Sequence, residues 1–282
     1  KLGDGGYDSG PRARQIRDDL QGIVNRHTIV TPRDLLGVQL DDRAVFLARW
    51  QELLLKVLSP EALIGHPERA ELRRLVENWG ARAATDSAGY RFVRVFRLTV
   101  AEKVFTPIFV SCTETWPDFH YTALHFEEPL WRLVSEQPIH LLNPGYKTWS
   151  ELFLASADSS LRAAKESQVA PAQFIWGLRN TARIRHPFAQ ILPSPLGGFL
   201  SMPPDQIPGD SHLPRVIGPD FGASIRFAVS PGHEEEGIAH MPGGQSGHPL
   251  SPFFSAGHEA WVRGDPTPFL PGATQHTLTL AP

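Results

Sequence analysis

The 282 residues carry 27 Lys and Arg against 30 Asp and Glu, a net charge of −3, with 41% hydrophobic and 20% charged residues. That balance describes a folded chain of one large domain or two small ones and excludes wholesale disorder and coiled coil. The basic residues are scattered, so there is no nucleic-acid footprint, and no apolar run approaches the ~18–20 residues that cross a bilayer.

The opening KLGDGGYDSG has neither the basic nor the apolar region of a signal peptide, and it lacks Met. We therefore expect processing or truncation upstream. Beyond it, Gly10 and Pro11 open a helix whose apolar face is Ile16, Leu20, Ile23 and Val24. Thr31 followed by Pro32 reads as an N-cap with Pro at the first helical position, starting a segment with Leu35 and Leu36. Val45, Leu47, Ala48, Leu54, Leu55 and Leu58 form a third apolar surface that stops at Ser59 and Pro60. Leu72, Leu75, Val76 and Trp79 mark another that stops at Gly80, and further helices are expected around 90–105, 130–135 and 150–165. Trp50, Trp79, Trp131, Trp149 and Trp176 read as core or inter-helix packing. The single cysteine, Cys112, excludes an intrachain disulfide and, next to Ile108, Phe109 and Val110, reads as a small core residue.

From Pro187 the pattern changes. That stretch holds 16 of the 26 Pro and 13 of the 24 Gly, so regular helices end there. Phe221, Ala223, Ile225, Phe227 and Val229 alternate with Gly222, Ser224, Arg226 and Ala228, the period of a strand with one buried face. Residues 277–280 alternate again, and residues 261–263 form a third short strand candidate. The reading is α+β, with a helix-rich region over 1–186 and a strand and loop region over 187–282.

Residues 237–252 (GIAHMPGGQSGHPLSP) are the densest in chemistry-bearing types. Gly243, Gly244 and Gly247 let backbone N–H groups approach an anion, but no Lys follows as in a P-loop, and His248 stands where a nucleophile elbow needs Gly. The segment reads as a tight structural turn. His233, His240, His248 and His258, with Glu234, Glu235 and Glu259, raise a metal site, yet no H-E-x-x-H spacing is completed. Asp4 and Asp8 lie among glycines and offer one or two oxygens to a cation, far short of an EF-hand series. Arg12 puts a cation at a helix start, where the dipole disfavours it, so it is held for something outside the helix.

Three segments together resemble the penicillin acylase family of N-terminal nucleophile hydrolases: residues 3–20 (GDGGYDSGPRARQIRDDL), 218–232 (GPDFGASIRFAVSPG) and 239–252 (AHMPGGQSGHPLSP), followed by 261–272 (WVRGDPTPFLPG). Residues 34–41 (DLLGVQLD) and 138–142 (PIHLL) support them in the expected order. The resemblance covers essentially the whole chain, as the latter part of that family's large (beta) subunit. It implies an αββα fold to which this chain contributes helices and closing strands, and an acyl-amide hydrolase whose Ser nucleophile, oxyanion Asn and acyl pocket lie upstream of Lys1. It implies Arg12 as a supporting residue beside the active site, and a structural Ca²⁺ near which Asp4 or Asp8 falls. The implied partners are a small subunit, the upstream part of the large subunit and a small acyl-amide substrate such as a penicillin or an N-acyl homoserine lactone. The implied location is periplasmic or secreted. The residues alone leave two other readings open: a non-catalytic scaffold or binding chain, and a metal-dependent hydrolase using the C-terminal histidines.

Overall fold

The structure is a computed structural model that describes residues 10–26, 29–193 and 196–280. Asp4 and Asp8 lie outside the described residues. The helices are α1 (Pro11–Arg26), α2 (Pro32–Gln39), α3 (Ala48–Val57), α4 (Pro60–Leu63), α5 (Pro67–Glu77), α6 (Ala88–Ile108), α7 (Val110–Thr115), α8 (Glu127–Glu136) and α9 (Trp149–Glu166). Three short ones follow, α10 (Trp176–Arg179), α11 (Leu196–Phe199) and α12 (His258–Arg263). Strands β1 (Arg226–Ala228) and β2 (Ile238–His240) pair antiparallel, with Arg226 opposite His240. The chain is thus α+β, with a small sheet beside a large helical body.

Helix α6 is the axis of that body. It is apolar around most of its circumference and packs on α3, α5 and α9, burying Phe92, Phe96, Val100 and Val104 against Trp50, Leu54, Leu72, Val76 and Leu152. Helix α5 comes so close that a Cβ on Gly89 would lie 2.2 Å from the Leu75 carbonyl oxygen, so only glycine fits there. Pro107, in the last turn of α6, has no N–H to give the carbonyl of Lys103; the Asn143 side chain supplies the missing donor at 2.7 Å. Arg69 of α5 clamps Asp158 of α9 with two bonds of 2.8 and 2.7 Å.

The later segments are stitched back onto α6. The Tyr90 hydroxyl donates to Asp210 at 2.7 Å and Arg94 Nε donates to the same carboxylate at 2.5 Å. Trp176 Nε1 and Asn180 Nδ2 donate to the Gly209 carbonyl. A second, smaller core of Ala182, Ile207, Ile217 and Trp261 lies under the sheet region. Among the described residues, no helix is long and apolar enough to cross a membrane.

Several expectations hold. Thr31 caps α2, in a reciprocal box with Asp34; the structure adds caps that the sequence reading did not name, Ser59 on α4, Ser87 on α6 and Thr148 on α9. Trp50, Trp79, Trp149 and Trp176 are buried, and Trp131 stacks edge-on against Trp50. Five others are corrected. The strand in 221–229 is confined to β1 and has the opposite phase: Arg226 and Ala228 face inward, while Phe221, Ile225 and Phe227 are each more than half exposed. The alternation is genuine, but the inward face is claimed by an arginine that lies over Trp261, which hydrophobicity alone does not reveal. Residues 261–263 are helical, in α12. Residues 277–280 form no strand, and Leu278 and Leu280 are exposed. Cys112 is exposed on α7, because the apolar run 108–110 straddles the end of α6 instead of continuing its buried face. On α1, Ile23 is buried but Leu20 and Val24 are exposed; the buried partner of Ile23 on that helix is polar Gln15.

Candidate active site at the start of helix α1

Gly10, in the left-handed region at φ 90°, turns the chain into α1, and Pro11 takes the first helical position, where a missing N–H is harmless. Arg12 follows, half-buried. One turn on, Gln15 is buried, and its amide donates to Asp41 Oδ2 at 2.5 Å and to the Arg43 carbonyl at 3.1 Å. Asp41 also accepts from the backbone N–H, Nε and Nη2 of Arg43, and Nη2 of Arg43 reaches Asp19 as well. Asp19 and Gln15 stand one turn apart on α1, so one Asp-Arg pair after α2 fixes the angle of the helix that carries Arg12.

Burial alone would raise the Asp41 carboxyl, but the Arg43 and Gln15 hydrogen bonds outweigh it and hold this carboxyl well below the usual range. Asp19 goes the other way, raised by burial and by the neighbouring Asp41. The two carboxyls titrate as a pair pushed apart. Arg43 is held above its ordinary value, first by its bond to Asp41.

Beside this network lies a groove of about 730 Å³, within the range of small-molecule sites. Pro11, Arg14 and Asp18 of α1 form one wall, Phe46 and Arg49 the other, and His125, Glu127 and Glu128 close the end at the start of α8. Glu127 is the anchor of that end. It accepts from Trp50 Nε1 at 2.8 Å, Arg97 Nε at 2.8 Å and Arg49 Nη2 at 2.9 Å. Burial would raise its carboxyl, and Arg97 with the other donors reverses that and lowers it. The groove thus presents fixed charges of both signs. Arg12 is not among its wall residues, although its neighbour Pro11 and, one half-turn on, Arg14 are. Asp19, Arg49 and Glu127 escaped the sequence reading because their partners lie up to 78 residues away; Asp41 was visible only as the end of the 34–41 segment.

The glycine segment is structural. The N–H of Gly244 donates to the Phe254 carbonyl at 2.8 Å and that of Ser246 to Phe253 at 3.3 Å, so these amides are committed within the turn. A Cβ on Gly244 would sit 1.7 Å from the Phe253 oxygen. The Ser246 hydroxyl accepts from the His248 N–H at 3.1 Å. The histidines do not converge on one centre. His258 is buried between the Pro242 carbonyl at 2.6 Å and Asp205 at 3.0 Å, His240 faces the Asp265 carbonyl, and the ring of exposed His248 accepts from Leu250 N–H. His233, Glu235 and Glu236 bring ligand atoms within 4.8 Å of one another, but all three are exposed on one short turn.

No curated protein matches the chain. The penicillin amidase family profile, in contrast, matches residues 1–276, which takes in α1 with Arg12, the Asp41 network, the sheet and the glycine turn. This chain belongs to the penicillin amidase family of hydrolases.

Proposed function

We propose that the chain is part of an amidohydrolase that cleaves an acyl-amide bond with an N-terminal Ser located upstream of Lys1. The observation that carries this reading is the family match over residues 1–276. In the proposed reaction the Ser hydroxyl oxygen attacks the amide carbonyl carbon while the same residue's α-amine takes the hydroxyl proton. An α-amine titrates near 8 when unperturbed, which suits a general base. The C–N bond then breaks, the departing amine receives that proton, and water hydrolyses the acyl ester by the same route.

Arg12 is proposed as a positioning residue at the edge of this site, either holding the oxyanion donor or tuning the α-amine. Its support is its place in the first turn of a helix anchored through Gln15 to Asp41. The exposed apolar side chains of Phe227 on β1 and of Phe221 and Ile225 in the segment leading into it support a larger αββα sandwich, to which residues 1–186 add helices and 187–282 the closing strands. Under the same proposal the partners are the small subunit and the upstream part of the large subunit, and the assembly is periplasmic or secreted. The exposure of His233, Glu235 and Glu236 gives a metal-dependent hydrolase no comparable support.

The test is hydrolysis of a chromogenic acyl-amide series by the native assembly before and after treatment with a serine-directed sulfonyl fluoride. The proposal expects release of the amine and its loss on treatment. Activity unaffected by the reagent but abolished by chelation contradicts it.

A further inference from the structure

Arg226 on β1 is 1% exposed and stands opposite His240 on β2, so the two side chains share one face of the sheet. Its Nη1 donates to the Trp261 carbonyl at 2.8 Å, and its guanidinium lies 5.0 Å from the Trp261 ring centre. Arg215, also buried, donates from Nη2 to the next carbonyl, Val262, at 2.7 Å. Two cations thus meet the C-terminal end of α12, where the helix dipole favours them.

That arrangement uses one nitrogen of each. Nε and Nη2 of Arg226 and Nε of Arg215 are shut away from solvent without a hydrogen-bond partner among the described residues, as is Nδ1 of His240. Nε and Nη2 form the parallel edge on which arginine grips a carboxylate, and Arg69 uses that same edge on Asp158. The charge of Arg226 is equally unmatched, whereas Arg215 faces Asp42. Burial, and then Arg215, push Arg226 down to about 10, so it stays protonated at neutral pH. The nearby acids are engaged: Asp42 pairs with Arg82 at 2.5 Å and Asp265 with Arg263 at 2.7 Å. An internal water satisfies hydrogen bonds but leaves buried Arg226 without a counter-charge.

We propose that Arg226 and Arg215 form a buried binding site for one carboxylate, seated on the Nε and Nη2 edge of Arg226 with Arg215 Nε as third donor and the His240 ring as a wall. The carboxylate has two sources, a free small acid or an Asp or Glu side chain of a polypeptide segment outside the described residues. Either one neutralises Arg226 beside α12.

Crystals of the native assembly grown without carboxylate buffers separate the sources, alongside thermal unfolding of wild type and Arg226→Met in formate against gluconate at equal ionic strength. A protein carboxylate shows as an Asp or Glu oxygen about 2.8 Å from Nε and Nη2, with no formate response. A free acid leaves the edge to be filled by a formate soak. In that case saturating formate raises Tm by roughly 3 °C at about ten times its Kd, and the rise is lost in Arg226→Met. Water alone on the arginine edge before and after the soak overturns the proposal, as does an arginine swung into solvent or an equal formate response in the variant. The crystallographic reading does not depend on the variant folding.

Discussion

Gln15, one turn into α1, donates its side-chain amide to Asp41, 26 residues later, at 2.5 Å. This bond, with its companion to the Arg43 carbonyl, ties the helix bearing Arg12 to the segment that follows α2. Gln15→Leu removes both donors while keeping the volume. The variant is expected to lose about 1–3 kcal/mol in urea unfolding, and kcat is expected to fall with it because Arg12 rides on the same helix. A variant of unchanged stability shows that α1 is held by other contacts.

Arg12→Ala separates a positioning role from a structural one. The account expects kcat to fall about 10²-fold or more, as when one transition-state donor is lost, with stability within about 0.5 kcal/mol of wild type. Arg12→Lys is expected to recover part of kcat, since it keeps the charge without the planar fork. Steady-state kinetics beside denaturant unfolding reads both quantities.

Acid sensitivity follows from three carboxyls held below their ordinary values. Besides Asp41 and Glu127 there is Asp210, for which burial would raise the value but Arg94, Tyr90 and the Ser211 amide reverse it. Each binds protons more readily unfolded than folded. Their contribution is therefore complete above the unfolded values of about 4 and is lost as pH falls through the depressed folded values. Midpoints of unfolding between neutral and strongly acid pH should fall towards acid, and Asp210→Ala should flatten that slope. Its neutral-pH stability should drop by about 3–5 kcal/mol, because Arg94 is left without its carboxylate. A slope unchanged by this substitution contradicts the assignment.

The glycine turn gives a paired prediction. Ser246→Ala leaves kcat unchanged, because its hydroxyl accepts from the His248 N–H within the turn and no base among the described residues is bonded to it. Gly244→Ala forces the Phe253 carbonyl aside and lowers stability by about 1–3 kcal/mol. Loss of activity in Ser246→Ala with native stability assigns the turn a catalytic role.

What the sequence revealed depended on how local each signal was. The capping box at Thr31 and Asp34 and the apolar periods of α3, α5, α6 and α9 involve neighbours within a few turns, so they were legible. The phase of β1 was not, since it is decided by Arg226 lying over Trp261, 35 residues on. Short α12 hid for a related reason: its six residues show no full apolar period, and it is set by glycines in the left-handed region at both ends. At the site, Arg12 stood out through the dipole argument and the family segments. The Asp19, Asp41 and Arg43 network and the Glu127 anchor are assembled only by folding.

The most direct measurement is mapping of the residue that a serine-directed sulfonyl fluoride modifies in the native assembly, by peptide mass spectrometry with N-terminal sequencing of every copurifying polypeptide. The account predicts a single label on a Ser that is the first residue of its polypeptide and lies outside residues 10–280. A label on Ser246 or any other serine within those residues, or full amidase activity from a verified, refolded chain of residues 1–282, contradicts it.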